Sequence, residues 1–581
     1  MKRFYLHICF VLATVNFAFG QYTLKNAEDV NWYRNITQEK IYVHFNTSLL
    51  FSGERLAYKV YCLNADTGLY SSTSKMAYVE LVGEDGLVFK HKIKLVNGTG
   101  QSDFFIPVSL QTGNYKLLAY TRWMRNGVDT HYFEGDINII NPYLPIEFSD
   151  SVIEPTSTVN STPDQYQQIK VSSNKEVYAK REKVNLSIES LNAANAYGSY
   201  SISVKKREEL PYEAAVSLPQ NYHNIYTDTH KSQSKSIGET IFLPEFKGEM
   251  LTGKVYLKDT NELVSGVQVA LSILSEEAYQ DIASTNKDGI FYFQITAPYR
   301  ATVALAQVYG DERARYRIEI NEHQSLDHSQ LKFNDFQINA AHKEKILERS
   351  INNQIENAFS EVKVNRLVEP RYPKPFYGNF ITTYLLDEYT RFATVGETLI
   401  EVVDHAWHER KGGKTRYINV RERENDPYYL VDILPMVVVD GAIIQDHESI
   451  IYMDADIVES ISVIRDEFYY DNKVFQGVLI VNTFDKDYYK TLQDDYIATF
   501  NLFKPQLNVM YHNPEYVSEA DLSRIPDNRE QLFWMPHFEL RSDVRNVDFF
   551  TSDKEGTYEI TLRGFTVAGK PISITKTITV E

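Results

Sequence analysis

Two histidines three residues apart, His405 and His408, lie in the run Asp404-His405-Ala406-Trp407-His408-Glu409 with acids on either side. Imidazole and carboxylate together are a divalent-cation ligand set, and on a helix the i, i+3 spacing brings both rings to one face. The preceding residues argue against such a helix. Thr394 and Glu397 have the spacing of a capping box, which starts a helix that ends at Val403, before His405. The two rings are therefore expected on a loop, and no metal or cofactor is assigned. Nucleophilic chemistry is no better served, because the chain has neither Gly-x-Ser-x-Gly nor His-Glu-x-x-His. Cys62 sits in Tyr58-Lys59-Val60-Tyr61-Cys62-Leu63, where a thiol behaves as a small buried hydrophobe. Lys411-Gly412-Gly413-Lys414 lacks phosphate-loop spacing and reads as a hairpin turn, and Asp494-Asp495 reads as solvated surface. No catalytic residue is expected, and the chain reads as a non-enzyme.

The elements around these residues are most legible between Pro435 and Thr483. Met436-Val437-Val438-Val439 is a β-rich core strand, turned by Asp440-Gly441. Asp454 to Glu459 suits one acid-capped helical turn feeding the strand Ser460 to Arg465, and Gly477 leads a third strand to Thr483. This succession resembles the plug domain of TonB-dependent outer-membrane receptors, with Asp440, Gly441, Glu459 and Gly477 as its structural motif. The resemblance implies a compact α/β fold with Asp440-Gly441 and Gly477 as turns. In that family the plug fills a barrel of 22 strands, which at about 9 to 11 residues each needs roughly 200 residues. Only 98 residues follow Thr483 in this chain of 581, so the usual inference from plug to transporter is not drawn.

Elsewhere the chain alternates in short strands separated by turn signals, the cadence of β-sandwiches. Glu39 to His44, Ser52-Gly53-Glu54, Leu110 to Tyr115 and Leu117 to Gly127 resemble a macroglobulin-like domain (MG2) of Bacteroidetes cell-envelope proteins. Gly253 to Leu257, Val264 to Leu271 and Thr285 to Phe293 resemble the carboxypeptidase regulatory-like sandwich, which implies no peptidase. In it Asp288-Gly289 lacks the spaced oxygen ligands of a calcium loop and reads as a hairpin turn. Ile346, Leu347, Ile351 and Ile355 mark an amphipathic helix within 340–360, followed by the proline-stiffened connector Glu369 to Pro375. Phe533 to Pro536 and Phe549 to Tyr558 resemble the last sandwich of the macroglobulin-like proteins. A rival reading of the last 30 residues is a type IX secretion sorting signal, but the resemblance begins earlier, at Leu532.

The expected fold is mainly β: tandem immunoglobulin- or macroglobulin-like β-sandwiches plus one small α/β plug-like domain. Its expected parts are a signal peptide (1–20), an MG2-like sandwich (21–148), a second sandwich (160–247), the regulatory-like sandwich (248–328), a helix and connector (329–376), the plug-like domain (377–490) and a last sandwich (491–581). A polar linker is expected at 150–165 and a long surface loop at 210–236. Lys2, Arg3, the apolar run to Phe19 and Ala18-Phe19-Gly20 are the signal-peptide features, and no later stretch is long and apolar enough to span a membrane. Removal of Lys2 and Arg3 takes the net charge from −18 to −20. That balance disfavours nucleic acid and anionic lipid. The 41 tyrosines and 31 phenylalanines fit pleated surfaces, and also enrich contact patches.

An exported protein is expected, in the periplasm, at the outer membrane or on the cell surface. It binds a partner through plug-like and sandwich domains, the partner being an outer-membrane β-barrel or another envelope protein. The alternatives are an accessory of TonB-dependent uptake and, should His405 and His408 hold metal, a hydrolase. The thioester of protease-trapping macroglobulins, with its Cys, Glu and Gln, cannot be built from this chain.

Overall fold

A computed structural model describes residues 21–581 apart from 128–131, 150–167, 192–195, 209, 211–218, 220–234, 276–278, 324, 376–380, 412–414, 421–432, 471–472 and 517–524. The signal peptide, the linker and most of the 210–236 loop thus lie outside the described residues, as does the centre of the Lys411-to-Lys414 turn. The architecture is mainly β, and its layers are sandwiches, as the strand cadence predicts.

The first sandwich packs a three-stranded sheet (Glu39–Phe45, Arg55–Asn64, Thr99–Phe105) on a five-stranded one ordered Leu49–Phe51, Phe133–Ile140, Gly113–Tyr120, Met76–Gly83, Gly86–Lys94. Tyr42, Tyr58, Tyr61, Tyr78 and Tyr120 are among its fully buried side chains. A strand with one wet face alternates in burial, yet Arg55–Asn64 is buried from Leu56 to Leu63. One of its faces fills the sandwich core, and the other meets a second sandwich.

That second sandwich corrects the expected domain plan. Residues 160–247 and 491–581 were expected to form two units, but their strands make one. A three-stranded sheet joins Ile169–Ser173, Lys183–Ser190 and Val544–Phe550, and in the five-stranded sheet Gly198–Lys206 runs between Gln531–Leu540 and Gly556–Thr566. Gly198 has both Leu540 and Thr566 as register partners. Cadence identifies a strand but not its neighbour, and here the neighbours come from the far end of the chain. The start of the expected last unit goes elsewhere: Ile497–Asn501 pairs with Val303–Val308 as an edge of the middle sandwich.

The middle sandwich sets Ile290–Ile295, Glu249–Leu257 and Tyr316–Ile320 against Tyr279–Ser284, Gln268–Ile273, Val303–Val308 and that added edge. Asp288-Gly289 is a turn, with the Asn286 carboxamide accepting from Asp288 N at 2.9 Å and Ile290 N at 3.0 Å. It carries the chain from one sheet to the other instead of closing a hairpin.

The plug-like unit is a mixed sheet ordered Thr382–Leu385, Val458–Tyr470, Lys473–Thr483, Met436–Val439, Ala442–Ile444. Met436–Val439 runs parallel to its neighbour and the other pairs are antiparallel. Helices Val395–Glu401 and His447–Ile451 join Val437, Val439, Leu479 and Val481 in one core, while Met436, Val438, Val478 and Ile480 face Tyr309 of the middle sandwich. Thr394 caps the first helix by accepting from Glu397 N at 3.2 Å, and the Glu397 carboxylate accepts in return from Ala393 N at 3.1 Å. Asp454 likewise caps the single turn Ala455–Ile457. Among the described residues no helix is long and apolar enough to cross a membrane.

The helix expected within 340–360 is Lys343–Ala358, but of its predicted apolar face only Ile346 is buried. Leu347 and Ile351 are 59% and 47% exposed, whereas Ile346, Arg349 and Ser350 are buried. Polar contacts orient the helix: Asn353 and Asn357 donate to the carbonyls of Ser52 and Gly53 at 2.8 and 3.0 Å.

Candidate functional site

Asp440 and Gly441 both adopt left-handed backbone (φ 47° and 84°), which a two-residue hairpin turn between Met436–Val439 and Ala442–Ile444 requires. The buried Asp440 carboxylate accepts from Thr483 N at 2.7 Å, Thr483 Oγ1 at 2.6 Å and Tyr488 N at 3.2 Å. It thereby ties the turn to the end of the neighbouring strand, which is a structural task. Gly477 is not a turn, contrary to expectation. It lies inside Lys473–Thr483 opposite the register break between Ile464 and Glu467. Its φ is 83°, and a Cβ there would stand 2.7 Å from the Ile464 carbonyl. Glu459 lies apart from these three, on the surface, paired with Lys486 at 2.5 Å.

One edge of the mixed sheet is sealed. An edge strand exposes unpaired backbone groups, and at Ala442–Ile444 side chains of the middle sandwich take the place of a ladder. Ile443 N donates to Ser272 Oγ at 3.2 Å, and Gln307 Nε2 donates to the Ile443 carbonyl at 2.7 Å. Gln280 Nε2 donates to the Gly441 carbonyl at 2.6 Å, and Gln445 bridges Gln307, Val308 and Gly310. Ala270, Ile282 and Ile443 form a small dry cluster beside these bonds. This edge is therefore closed to strand addition by a partner.

Toward the other edge of the sheet, where the strands end at Leu385, Val458 and Thr483, apolar side chains are exposed. Phe484 is 50% exposed and Ile457 46% exposed, and they are joined through Phe484 N and the Ile457 carbonyl at 3.0 Å. Arg391 lies over the Phe484 ring at 5.5 Å and donates to the carbonyls of Ala455 and Val458 at 2.6 and 3.1 Å. Leu385, whose strand register places it against Ser460, is also exposed, as is Tyr389. Glu459 and Lys486 supply charge at the same end. Single exposed apolar residues need no explanation, but a group of them rimmed by charge marks a contact surface.

The histidines do not form a centre. His405, at φ 67°, precedes the strand Ala406–Lys411 and its Nε2 lies 3.2 Å from Arg465 Nη1. His408 is within that strand, and its pKa is lowered by burial and then by Arg416. Among the described residues no three His, Cys, Asp or Glu side chains are placed to hold a metal ion. The Cys62 thiol is fully buried, and burial, followed by the Glu39 carboxylate, pushes its pKa well up. A thiol in that state is inert.

Sequence reasoning missed two buried cations that join the first sandwich to the composite one. Arg349 meets Glu54 at 2.8 Å, Glu208 at 2.7 Å and Glu530 at 3.3 Å, with its guanidinium 4.4 Å from the Phe51 ring centre. Lys59 donates to Ser199 Oγ at 2.7 Å and to the Tyr200 carbonyl at 3.0 Å. A hint of the first was present in the i+3 step from Ile346 to Arg349 and in Glu54 of the predicted turn.

No family model matches the chain, and no curated protein matches it. Among solved structures it aligns with α2-macroglobulin of Salmonella reacted with methylamine at 9% identity, over 97% of this chain and 40% of that one, with a TM-score of 0.23. Trypsin-activated α2-macroglobulin of Escherichia coli aligns at 10% identity over 94% of this chain and 42% of that one, with a TM-score of 0.23. The native conformation of the Escherichia coli protein gives 10%, 96%, 41% and 0.22 for the same quantities. The chain thus spans about two fifths of the length of these proteins. The superpositions are loose, and the fold is defined by its own strand pairings.

Proposed function

We propose that the protein is a non-enzymatic exported protein of the cell envelope that binds a partner through the open end of its plug-like unit. The observation carrying this reading is the asymmetry of the mixed sheet. Its Ala442–Ile444 edge is sealed by Ser and Gln side chains of the middle sandwich, while Leu385, Tyr389, Ile457 and Phe484 are exposed toward the other edge. Aromatic and apolar side chains framed by Arg391, Glu459 and Lys486 suit a protein surface that buries a few rings inside a polar rim. The proposed partner is an outer-membrane β-barrel or another envelope protein.

Photo-crosslinking in intact cells tests this, with a benzophenone side chain at Phe484 and, as control, at the exposed Lys180 of the composite sandwich. Capture of one envelope protein from position 484 alone is the expected result. Equal capture from both positions, or none from 484, removes the reading. If the captured protein is a transport barrel, the role becomes that of an uptake accessory. Metal analysis of the purified chain addresses hydrolysis: stoichiometric zinc or iron lost on replacing His405 and His408 would reinstate it.

A further inference from the structure

A cavity of about 610 Å³ lies where the first and middle sandwiches meet, and its wall is rich in cations. Lys90 and Lys92 reach it from the strand Gly86–Lys94, and Arg122 and Arg125 from the turn that follows Gly113–Tyr120. Among the described residues only two acids line it. Glu249 is engaged by Lys92 and by Tyr299 Oη at 2.6 Å, and Glu322 is exposed. Glu80 and Glu245 stand behind the wall, where they accept from the hydroxyls of Tyr120 (2.7 Å) and Tyr78 (3.0 Å); Glu80 also meets Lys90 at 3.4 Å. Phe503 holds the two ammonium groups over its ring, at 5.9 Å for Lys90 and 4.8 Å for Lys92.

His323 completes the wall, with both ring nitrogens buried and neither hydrogen-bonded. Its ring lies 4.0 Å from that of Tyr78, centre to centre. Burial, followed by Lys90, Lys92, Arg122 and Arg125, holds its pKa down to about 2. It is therefore neutral at physiological pH, with one N–H to give. A buried polar atom left unpaired costs about 1–3 kcal/mol. The one N–H of this neutral ring, unpaired beside four cations, suits something that accepts hydrogen bonds and carries negative charge.

We propose that this cavity binds a small organic molecule through an oxyanion, with Lys90, Arg122 and Arg125 as ion-pair partners and His323 donating one hydrogen bond. Phosphate and carboxylate share the required chemistry, several acceptor oxygens that match the guanidinium fork. The volume exceeds that of a bare anion and lies in the range of small-molecule sites. A ligand there would touch the first sandwich, the middle sandwich and the 499–503 segment together.

Isothermal titration of the full chain with inorganic phosphate, and separately with succinate, at matched chloride ionic strength, distinguishes the two sources. Saturable binding of one or both is expected, weakened at least tenfold in R125Q and in H323Q and unchanged in the remote control K180Q. Should R125Q fail to fold, H323Q gives the same reading, because it replaces a ring that makes no hydrogen bond among the described residues. No saturable heat with either probe overturns the proposal. So does wild-type affinity in H323Q, or equal stabilisation of all variants by any salt.

Discussion

The two buried cations that join the first sandwich to the composite one solve the same problem in opposite ways. Arg349 spreads its donors over Glu54, Glu208, Glu530 and the Leu49 carbonyl. Lys59, fully buried, has a serine hydroxyl and a backbone carbonyl as partners and the face of Tyr61 at 4.7 Å. The consequences diverge. Burial tends to discharge Arg349, but Glu54, Glu530 and Glu208 more than offset it and raise its pKa well above the ordinary value. At Lys59 burial prevails over the more distant Glu539 and brings the pKa down to about 7. One joint is a lock of fixed charge and the other lies near its titration midpoint at physiological pH. The difference comes from the partners, since both side chains lie deep in the protein.

The largest expected effect is at the lock. Arg349→Met leaves three clustered carboxylates without their cation, and breaking a buried ion pair from one side costs about 3–5 kcal/mol. Chemical denaturation at pH 7.5 should show that loss. Burial alone would raise the Glu54 and Glu208 carboxyls, but Arg349 and then Lys205 hold both below their ordinary 4.5. A depressed carboxyl stabilises the fold above its unfolded pKa and ceases to do so as pH falls through its folded pKa. The gap between wild type and variant should therefore narrow below pH 4.5. A gap independent of pH would mean that lost packing over Phe51, not charge, is what the variant reports.

At Lys59 the slope has the same sign but lies in a higher pH window. The group binds its proton less tightly folded than unfolded, so stability rises with pH between about 7 and the ordinary 10.5. Lys59→Met removes that slope. At pH 7 it is expected to change stability by less than about 1.5 kcal/mol, because an apolar chain of similar volume replaces a poorly compensated buried cation. If Lys59→Met costs as much as Arg349→Met, the contrast between the joints fails.

Neither joint was legible in advance, and the reason is where the partners lie in the chain. Met436–Val439, the Asp440-Gly441 turn and the Asp454-capped turn were readable because β-propensity, left-handed turns and caps act within a few residues. Gly477 announced a special backbone but not its kind, since a bulge and a turn both ask for positive φ. Gly198–Lys206 was readable as a strand, yet its neighbours lie more than 300 residues away. Lys59 looks like any outward residue of a half-wet strand until that distant sheet covers it. Arg349 sits in a helix whose Ile346, Leu347, Ile351 and Ile355 outvote it in any count of periodicity. The open end of the plug-like unit is a similar case: Ile457 and Phe484 are ordinary strand-end residues until the fold leaves them uncovered.

The smallest expected effect tests what sets the state of Lys59. Ser199→Ala removes the hydroxyl that accepts from its ammonium at 2.7 Å, leaving the Tyr200 carbonyl as the remaining acceptor at 3.0 Å. A hydrogen bond that favours the charged form raises the pKa of a base, so its loss should move Lys59 further down from about 7. Stability should fall by about 1 kcal/mol below that pKa and by less above it. Heteronuclear NMR of the lysine side chain, read against pH, reports the shift directly. An unchanged midpoint would make burial alone responsible, and would turn the Lys59 joint from a weakly bonded cation into an apolar contact that happens to contain an amine.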